Sequence, residues 1–297
     1  MILDTNAYTA ENRAARREKA RNQAIGGVGV VAAWEAEPYI KKALRYPLRP
    51  YFKKTINSVT GTDYRQYLDK AIEQNDLKDK LKITNLTSQT ADEVKRTLGL
   101  KLTKPKGLFK VLAHVFRLPI NGNIATFNET MNGKNAFFYP KGNTVVCNFE
   151  KFGAPVFHEI AHKLNESSKN PIVKTLADIR SPLAFLGPLA ISAFAVFNNP
   201  PKNEKEKKTP EGFIKNNCGL LATAAMLPLT IEETIANVKG TKIAEKAGVT
   251  GDMLKKVKNV HKMSIISYCT AAIATGVAVH CASKIRDAIC SKKTNSK

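Results

Sequence analysis

The stretch Val156–Asn165, VFHEIAHKLN, holds His158, Glu159 and His162 in the spacing HExxH. On a helix, residues i and i+4 lie on one face, so both imidazoles can bind one zinc ion. Glu159 lies about 100° further round the helix axis, where its carboxylate reaches a water molecule beside the ion but not the ion itself. The apolar residues around these three predict a helix that is half-buried in its domain.

A catalytic zinc site needs a third protein ligand. Ser168 stands ten residues after His158, which excludes the pattern that places a third histidine there. Further along, the sequence TIEETIANVKG offers Glu232 and Glu233. Only one of them can face the ion, because adjacent helical residues diverge by about 100°.

Glu233 is the preferred ligand because Ala236 and Asn237 follow it at helical spacing. Ala236 is small and lets another helix approach, and the Asn237 oxygen can accept a hydrogen bond from a ligand imidazole. A plain surface asparagine is an equal alternative for Asn237. For Glu232 we expect a solvent-exposed charge. The expected cofactor is one Zn²⁺ ion, bound by Glu233 and the two histidines.

The remaining pattern predicts an α+β protein that is mostly helical. Residues 62–83 have apolar side chains near helical spacing and are predicted as one amphipathic helix. Residues 118–150 are rich in Asn, Gly, Thr and aromatic residues, which favours β-structure. Within them, 135–139 and 144–149 form the best candidate for a hairpin.

Three apolar runs follow the HExxH segment, at Pro182–Phe197, Cys218–Ile231 and Met263–Ser283. Only the third reaches the roughly 20 residues that a membrane-spanning helix needs. The first two are shorter, and each contains a proline. A membrane-attached protein is therefore favoured over a soluble one with three core helices. Whether Ala24–Trp34 also spans is left open.

The chain has 297 residues and a formal net charge of +22, from 47 Lys and Arg against 25 Asp and Glu. Such a chain is attracted to nucleic acid or to acidic lipid headgroups. The basic residues are spread along the whole length, and no basic motif interleaved with aromatic residues is present. We therefore expect no specific nucleic-acid partner.

The HExxH and ExxAN segments resemble the gluzincin metallopeptidases, and in particular the HtpX-type membrane zinc endopeptidases. Upstream, Asn135-Ala136-Phe137 and the strand-like Thr144–Val146 add to the resemblance. It covers about residues 135–240. Asn237 departs from it, because that family has Asp at this position.

The resemblance implies a minimal zincin-like core with a small hairpin or sheet and membrane helices. It implies that His158, His162 and Glu233 bind zinc and that Glu159 is the general base. Asn237, at the position where it departs from the family, can still orient a ligand imidazole but brings no charge. It also implies that the strand around Asn135, Ala136 and Phe137 binds an extended polypeptide substrate. For His261, farther along the chain, a solvent-facing position is favoured over a role as a donor to the oxyanion.

These expectations divide the chain into four parts. They are basic N-terminal helices (1–60), a helical region (61–117), a zincin-like metallopeptidase domain (118–262) with an inserted apolar hairpin (182–231), and a transmembrane-like helix with a basic tail (263–297).

The expected function is zinc-dependent hydrolysis of peptide bonds in membrane or membrane-proximal proteins. The expected location resembles a bacterial inner membrane, and the unpaired cysteines favour a cytosolic active site. Two alternatives remain: a non-catalytic membrane protein that retains a zincin fold, and a basic protein that binds anionic lipid or nucleic acid. The sequence does not indicate an oligomeric state.

Overall fold

The structure is a computed structural model that describes residues 5–100 and 119–291. It is mostly helical and contains one small sheet, as the sequence predicts. Residues 101–117 of the predicted helical region and the basic tail from 292 onward lie outside the described residues. The helices are α1 Thr5–Arg45, α2 Arg49–Val59, α3 Leu68–Glu73, α4 Ala91–Thr97, α5 Pro119–Met131, α6 Phe149–Phe152, α7 Val156–Glu166, α8 Pro171–Phe197, α9 Glu204–Lys207, α10 Pro210–Asn216, α11 Cys218–Ala225, α12 Leu227–Lys246 and α13 Gly251–Ser291. The strands are β1 Lys82–Asn85, β2 Ala136–Tyr139 and β3 Thr144–Cys147.

Internal contacts divide the described residues into two compact units. The sheet unit contains those within Leu44–Ser181 and Pro228–Thr270. The helical unit contains those within Met1–Ala43, Pro182–Leu227 and Ala271–Lys297. All residues of the predicted metal site belong to the sheet unit.

Strand β3 is the centre of the three-stranded sheet. It pairs antiparallel with β2, which places Ala136 opposite Cys147, and parallel with β1. The predicted hairpin is therefore confirmed, and β2 is an edge strand. Because side chains alternate along a strand, Val145 and Val146 enter different apolar clusters on the two faces. Helices cover both faces of β3, which explains why its four residues are all buried.

Two predicted elements differ from the structure. The single helix expected over 62–83 is wrong, because α3 ends at Glu73 and residues 82–85 form β1. Asp76 and Asp79 have φ values of 51° and 61°, a left-handed conformation that interrupts a helix. Residues 119–131, expected as part of a β-region, form α5.

Helix α7, which carries HExxH, lies in the main core of the sheet unit. Val156, Phe157, Ile160 and Ala161 are fully buried. They pack with Tyr64, whose ring meets that of Phe157 edge-on at 6.0 Å between centroids. The helix is thus more deeply buried than the half-buried helix expected from its sequence.

The helical unit has close contacts at small residues and a surface rich in apolar side chains. A β-carbon on Gly219 would lie 2.8 Å from the carbonyl oxygen of Gly276, so α11 and α13 approach each other through glycines. Such contacts are typical of helices that pack within lipid. Large exposed apolar residues of this unit are Val28, Tyr39, Leu183, Leu186, Phe197, Phe213, Leu220, Leu227, Ile273, Val277, Ile285 and Ile289.

Three helical segments are long and apolar enough to cross a membrane: Pro171–Phe197, Cys218–Lys246 and Gly251–Cys290. They are 27, 29 and 40 residues long, and the second joins α11 and α12, so the first two apolar runs, judged too short from their sequence, belong to helical segments of sufficient length. The described structure is thus compatible with membrane insertion. Its orientation in a membrane stays a prediction.

Candidate metal centre

Helices α7 and α12 bring together the three predicted ligand residues. Nε2 of His158 and Nε2 of His162 are 2.9 Å apart. Oε2 of Glu233 lies 3.1 Å from the first nitrogen and 3.5 Å from the second. All three side chains are buried, and their donor atoms form a group that can hold one metal ion.

The size of this triangle fits a small tetrahedral ion. Two ligand atoms that each lie 2.0–2.1 Å from one zinc ion are about 3.3 Å apart in tetrahedral geometry. The three observed separations, 2.9, 3.1 and 3.5 Å, lie around that value. Oε2 of Glu233 also accepts no hydrogen bond of regular geometry among the described residues, although it is buried. A cation bound between the three atoms would satisfy it.

Glu159 lies beside the triangle without being part of it. Its Oε1 is 4.0 Å from Nε2 of His158, and its side chain is buried. This matches the position expected from helix geometry, close enough for contact through one water molecule.

Glu232 does not occupy the exposed position that we expected. It is fully buried, and its Oε1 accepts hydrogen bonds from Nδ1 of His162 at 3.0 Å and from the amide of Asn165 at 2.8 Å. The carboxylate can be buried because other side chains inside the protein compensate its charge. One of these side chains is an arginine that is distant in the sequence.

That arginine is Arg180, from α8. Its Nη1 donates to Oε2 of Glu232 and, at 2.9 Å, to Oε1 of Glu233. It also lies 3.1 Å from Nδ1 of His162. The guanidinium therefore links the two adjacent carboxylates of α12.

Asn237 and His261 lie near the centre in arrangements that the sequence did not suggest. The amide nitrogen of Asn237 donates to the carbonyl oxygen of Glu233 at 2.7 Å, and its Oδ1 accepts nothing from the described residues. No imidazole in the described part of the chain therefore donates to the Asn237 oxygen, as we expected a ligand histidine to do.

His261 is 3% exposed, and its Nδ1 lies 2.7 Å from the hydroxyl of Thr241, so the expected solvent-facing position is wrong. Its ring centroid is 6.0 Å from that of His158.

Burial and neighbouring charges act in opposite directions on the pKa of His162. Burial disfavours the charged imidazolium, but the Glu233 and Glu232 carboxylates outweigh it and raise the pKa to about 10. In the metal-free site the His162 imidazole is therefore protonated on both nitrogens and carries a positive charge at neutral pH.

Tyr268 and Arg180 are neighbours of the site that the sequence did not identify. The side chain of Tyr268 lies close enough to Glu233, Glu159 and Arg180 to interact electrostatically with them. Tyr268 follows His261 by seven residues, or two helical turns, so both lie on one face of α13. This seven-residue spacing was the sequence signal that could have identified Tyr268. The local sequence around Arg180 contains no signal that links it to the site.

The predicted substrate-binding segment lies at the edge of the sheet. Ala136 and Phe137 begin β2, and the side chain of Asn135 accepts a hydrogen bond from the backbone nitrogen of Ala136 at 3.0 Å. The outer edge of β2 has no strand partner among the described residues.

Comparison of the chain with protein-family models, with curated proteins and with solved structures finds no match in any of the three.

Proposed function

We propose that this protein is a membrane-attached zinc endopeptidase that hydrolyses peptide bonds of membrane or membrane-proximal proteins. The observation that carries this proposal is the convergence of His158, His162 and Glu233 on one point, with Glu159 beside it. Two imidazoles and one carboxylate are a ligand set found in catalytic zinc sites, where the fourth position is left for water or substrate.

The charges of the site also favour a divalent cation. Glu159, Glu232 and Glu233 are three buried carboxylates, and Arg180 supplies one positive charge against them. Burying unbalanced charge is costly, and with neutral imidazoles a charge of +2 is needed for balance.

In the proposed reaction, zinc would polarise the scissile carbonyl and acidify a water molecule. Glu159 accepts the proton of that water as it attacks, and then donates it to the leaving amine. The extended substrate pairs with the outer edge of β2 near Asn135, Ala136 and Phe137. The three apolar helices would hold the enzyme in the membrane where its substrates lie.

A non-catalytic metal site is the second candidate function. It is favoured by the burial of the site, because His158, Glu159, His162 and Glu233 are each at most 7% exposed. In that case the ion would only hold α7 and α12 together, and Glu159 would have no chemical role.

Metal analysis of the purified full chain tests the proposal. We expect about one zinc per chain, and strong loss in His162→Ala and Glu233→Ala, because each removes one of three ligands. Glu245→Ala, an exposed glutamate on the same helix, is the matched control and keeps its zinc. A wild-type protein that binds no zinc when supplied with it, or a Glu233→Ala variant that binds normally, contradicts the proposal.

A further inference from the structure

Glu232 and Glu233 are adjacent on α12 but contact different atoms of the site. Oε2 of Glu233 faces the Nε2 atoms of the two histidines, whereas Glu232 contacts the opposite side of the His162 ring, at Nδ1. The 100° between neighbouring helical positions makes this possible. Glu233 thus lies where an ion would bind, and Glu232 lies behind one of its ligands.

We infer that Glu232 and Arg180 are positioning residues of this metal centre: Glu232 orients the imidazole of His162, and Arg180 restricts Glu233 to one ligating oxygen. The inference rests on the metal site of the proposed function. It adds two residues that do not contact the ion but determine how it is bound.

Glu232 selects the tautomer of His162. A carboxylate accepts hydrogen bonds only, so Nδ1 of His162 must carry the hydrogen in the 3.0 Å contact. When a metal ion displaces the second proton of the ring, the hydrogen that remains is the one on Nδ1, and Nε2 presents its lone pair toward Glu233 and His158. The position of the carboxylate is itself fixed, because Asn165 donates to the same oxygen at 2.8 Å and Lys239 holds the Asn165 side chain at 2.7 Å. Such outer partners orient ligand histidines and raise their basicity.

Arg180 acts on the other ligand. It binds Oε1 of Glu233 at 2.9 Å, which leaves Oε2 as the oxygen that faces the histidines. The same nitrogen binds Oε2 of Glu232, so one positive charge lies between two carboxylates that would otherwise repel each other in a buried site. Removal of Arg180 would free Oε1 to approach the ion.

A purely structural ion pair would contain the same contacts, so the test must measure the metal. Glu232→Leu removes the acceptor and the charge and replaces them with an apolar side chain of similar size. Glu232→Gln keeps an oxygen that can accept from Nδ1 but removes the charge. Glu245→Leu makes the same chemical change at an exposed position of α12 and is the control.

The affinity of each full-length variant for Zn²⁺ is measured by competition with a chelator, and thermal unfolding is measured without metal. We expect Glu232→Leu to lose about 10- to 100-fold in zinc affinity, Glu232→Gln to lose less, and Glu245→Leu to match the wild type. The role of Glu232 is overturned if Glu232→Leu binds zinc as tightly as the wild type. It is also overturned if the loss of zinc affinity is no larger than the loss of stability of the metal-free variant explains.

Arg180 is tested with Co²⁺, whose visible absorption weakens as its coordination number rises. We expect Arg180→Gln to show a weaker band than the wild type, because Glu233 can then bind through both oxygens. Lys174→Gln, at an exposed position of the same helix, is the control and keeps the wild-type band. An unchanged spectrum for Arg180→Gln overturns its role. If Glu232→Leu does not fold, the zinc affinity of Glu232→Gln tests the role of Glu232, and the Co²⁺ spectrum of Arg180→Gln tests the role of Arg180.

The outcomes separate the two proposals. A wild-type protein that binds neither Zn²⁺ nor Co²⁺ overturns the proposed function and this inference together. A wild-type protein that binds both ions, with variants indistinguishable from it, overturns only this inference.

Discussion

Gly240 of α12 lies directly against the backbone of His158 on α7. A β-carbon at position 240 would be 2.9 Å from both the nitrogen and the α-carbon of His158. Seven residues earlier, the same helix carries Glu233, and Ala236, between the two, is fully buried. The small residues at 236 and 240 therefore bring the carboxylate of α12 to the histidines of α7.

The first prediction concerns this helix contact. Gly240→Ala forces the backbones of α7 and α12 apart, so we expect it to destabilise the protein by about 1–3 kcal/mol and to weaken zinc binding. Gly27→Ala is the control, because that helical glycine has nothing within 4 Å of an added β-carbon. It should stabilise the protein by about 0.5–1 kcal/mol. Chemical denaturation checks both, and equal stability of Gly240→Ala and wild type would show that the close contact is absent.

The second prediction concerns Glu159. Since it lies beside the ligands and not among them, Glu159→Gln should retain zinc while peptide hydrolysis falls by about 10²- to 10⁴-fold. Glu166→Gln, at the end of the same helix, serves as the control and should retain activity. Peptidase assays on zinc-loaded protein decide between the two candidate functions. If the zinc-loaded wild type and the zinc-loaded Glu159→Gln variant both lack peptidase activity, the result favours the non-catalytic metal site.

The third prediction concerns pH. In the metal-free protein the carboxylates raise the pKa of His162 to about 10, so the imidazole is protonated below that pH. Zinc binds neutral imidazole and must displace this proton. Apparent zinc affinity should therefore rise with pH, by about tenfold per unit for one displaced proton. Titrations from about pH 6.5 to 8.5 measure the slope, and a flat profile would contradict a protonated His162.

The fourth prediction tests the sheet. Burial raises the pKa of the Cys147 thiol on β3, and its Sγ donates a hydrogen bond to the carbonyl oxygen of Phe152 at 3.1 Å. We expect Cys147 to resist maleimide in the native protein and to react after denaturation. Mass spectrometry of the labelled peptide gives its rate in both states. Native labelling of Cys147 at the rate seen after denaturation would exclude a buried β3.

The parts of the site that depend on local spacing were predictable. The i and i+4 relation places His158 and His162 on one face of α7, and the small Ala236 after Glu233 indicated which glutamate approaches them. The burial of Glu232 was not predictable in this way. Its burial depends on Arg180, which lies 52 residues away in the sequence, and no local pattern reveals such a partner.

The fold shows the same division between local and distant information. The hairpin of β2 and β3 follows from alternation and a tight turn, and it was predicted. Strand β1 was missed because Leu77 and Leu81 have helical spacing, although neither lies in a helix. Its identity as a strand comes from pairing with β3, where Lys82 lies opposite Thr144. In α5, buried Phe127 packs with Met131 on the sheet, and this tertiary contact outweighs a composition rich in Asn and Gly.

The sequence separation of 70 residues between His162 and Glu232 affects how the site is made during biosynthesis. A growing chain presents both histidines long before the helix that holds their acidic partners leaves the ribosome. During that interval it can offer a metal ion two ligands and no more. Under the proposed function, tight capture of the ion, and with it any hydrolysis, must wait until α12 has been made and has packed against α7.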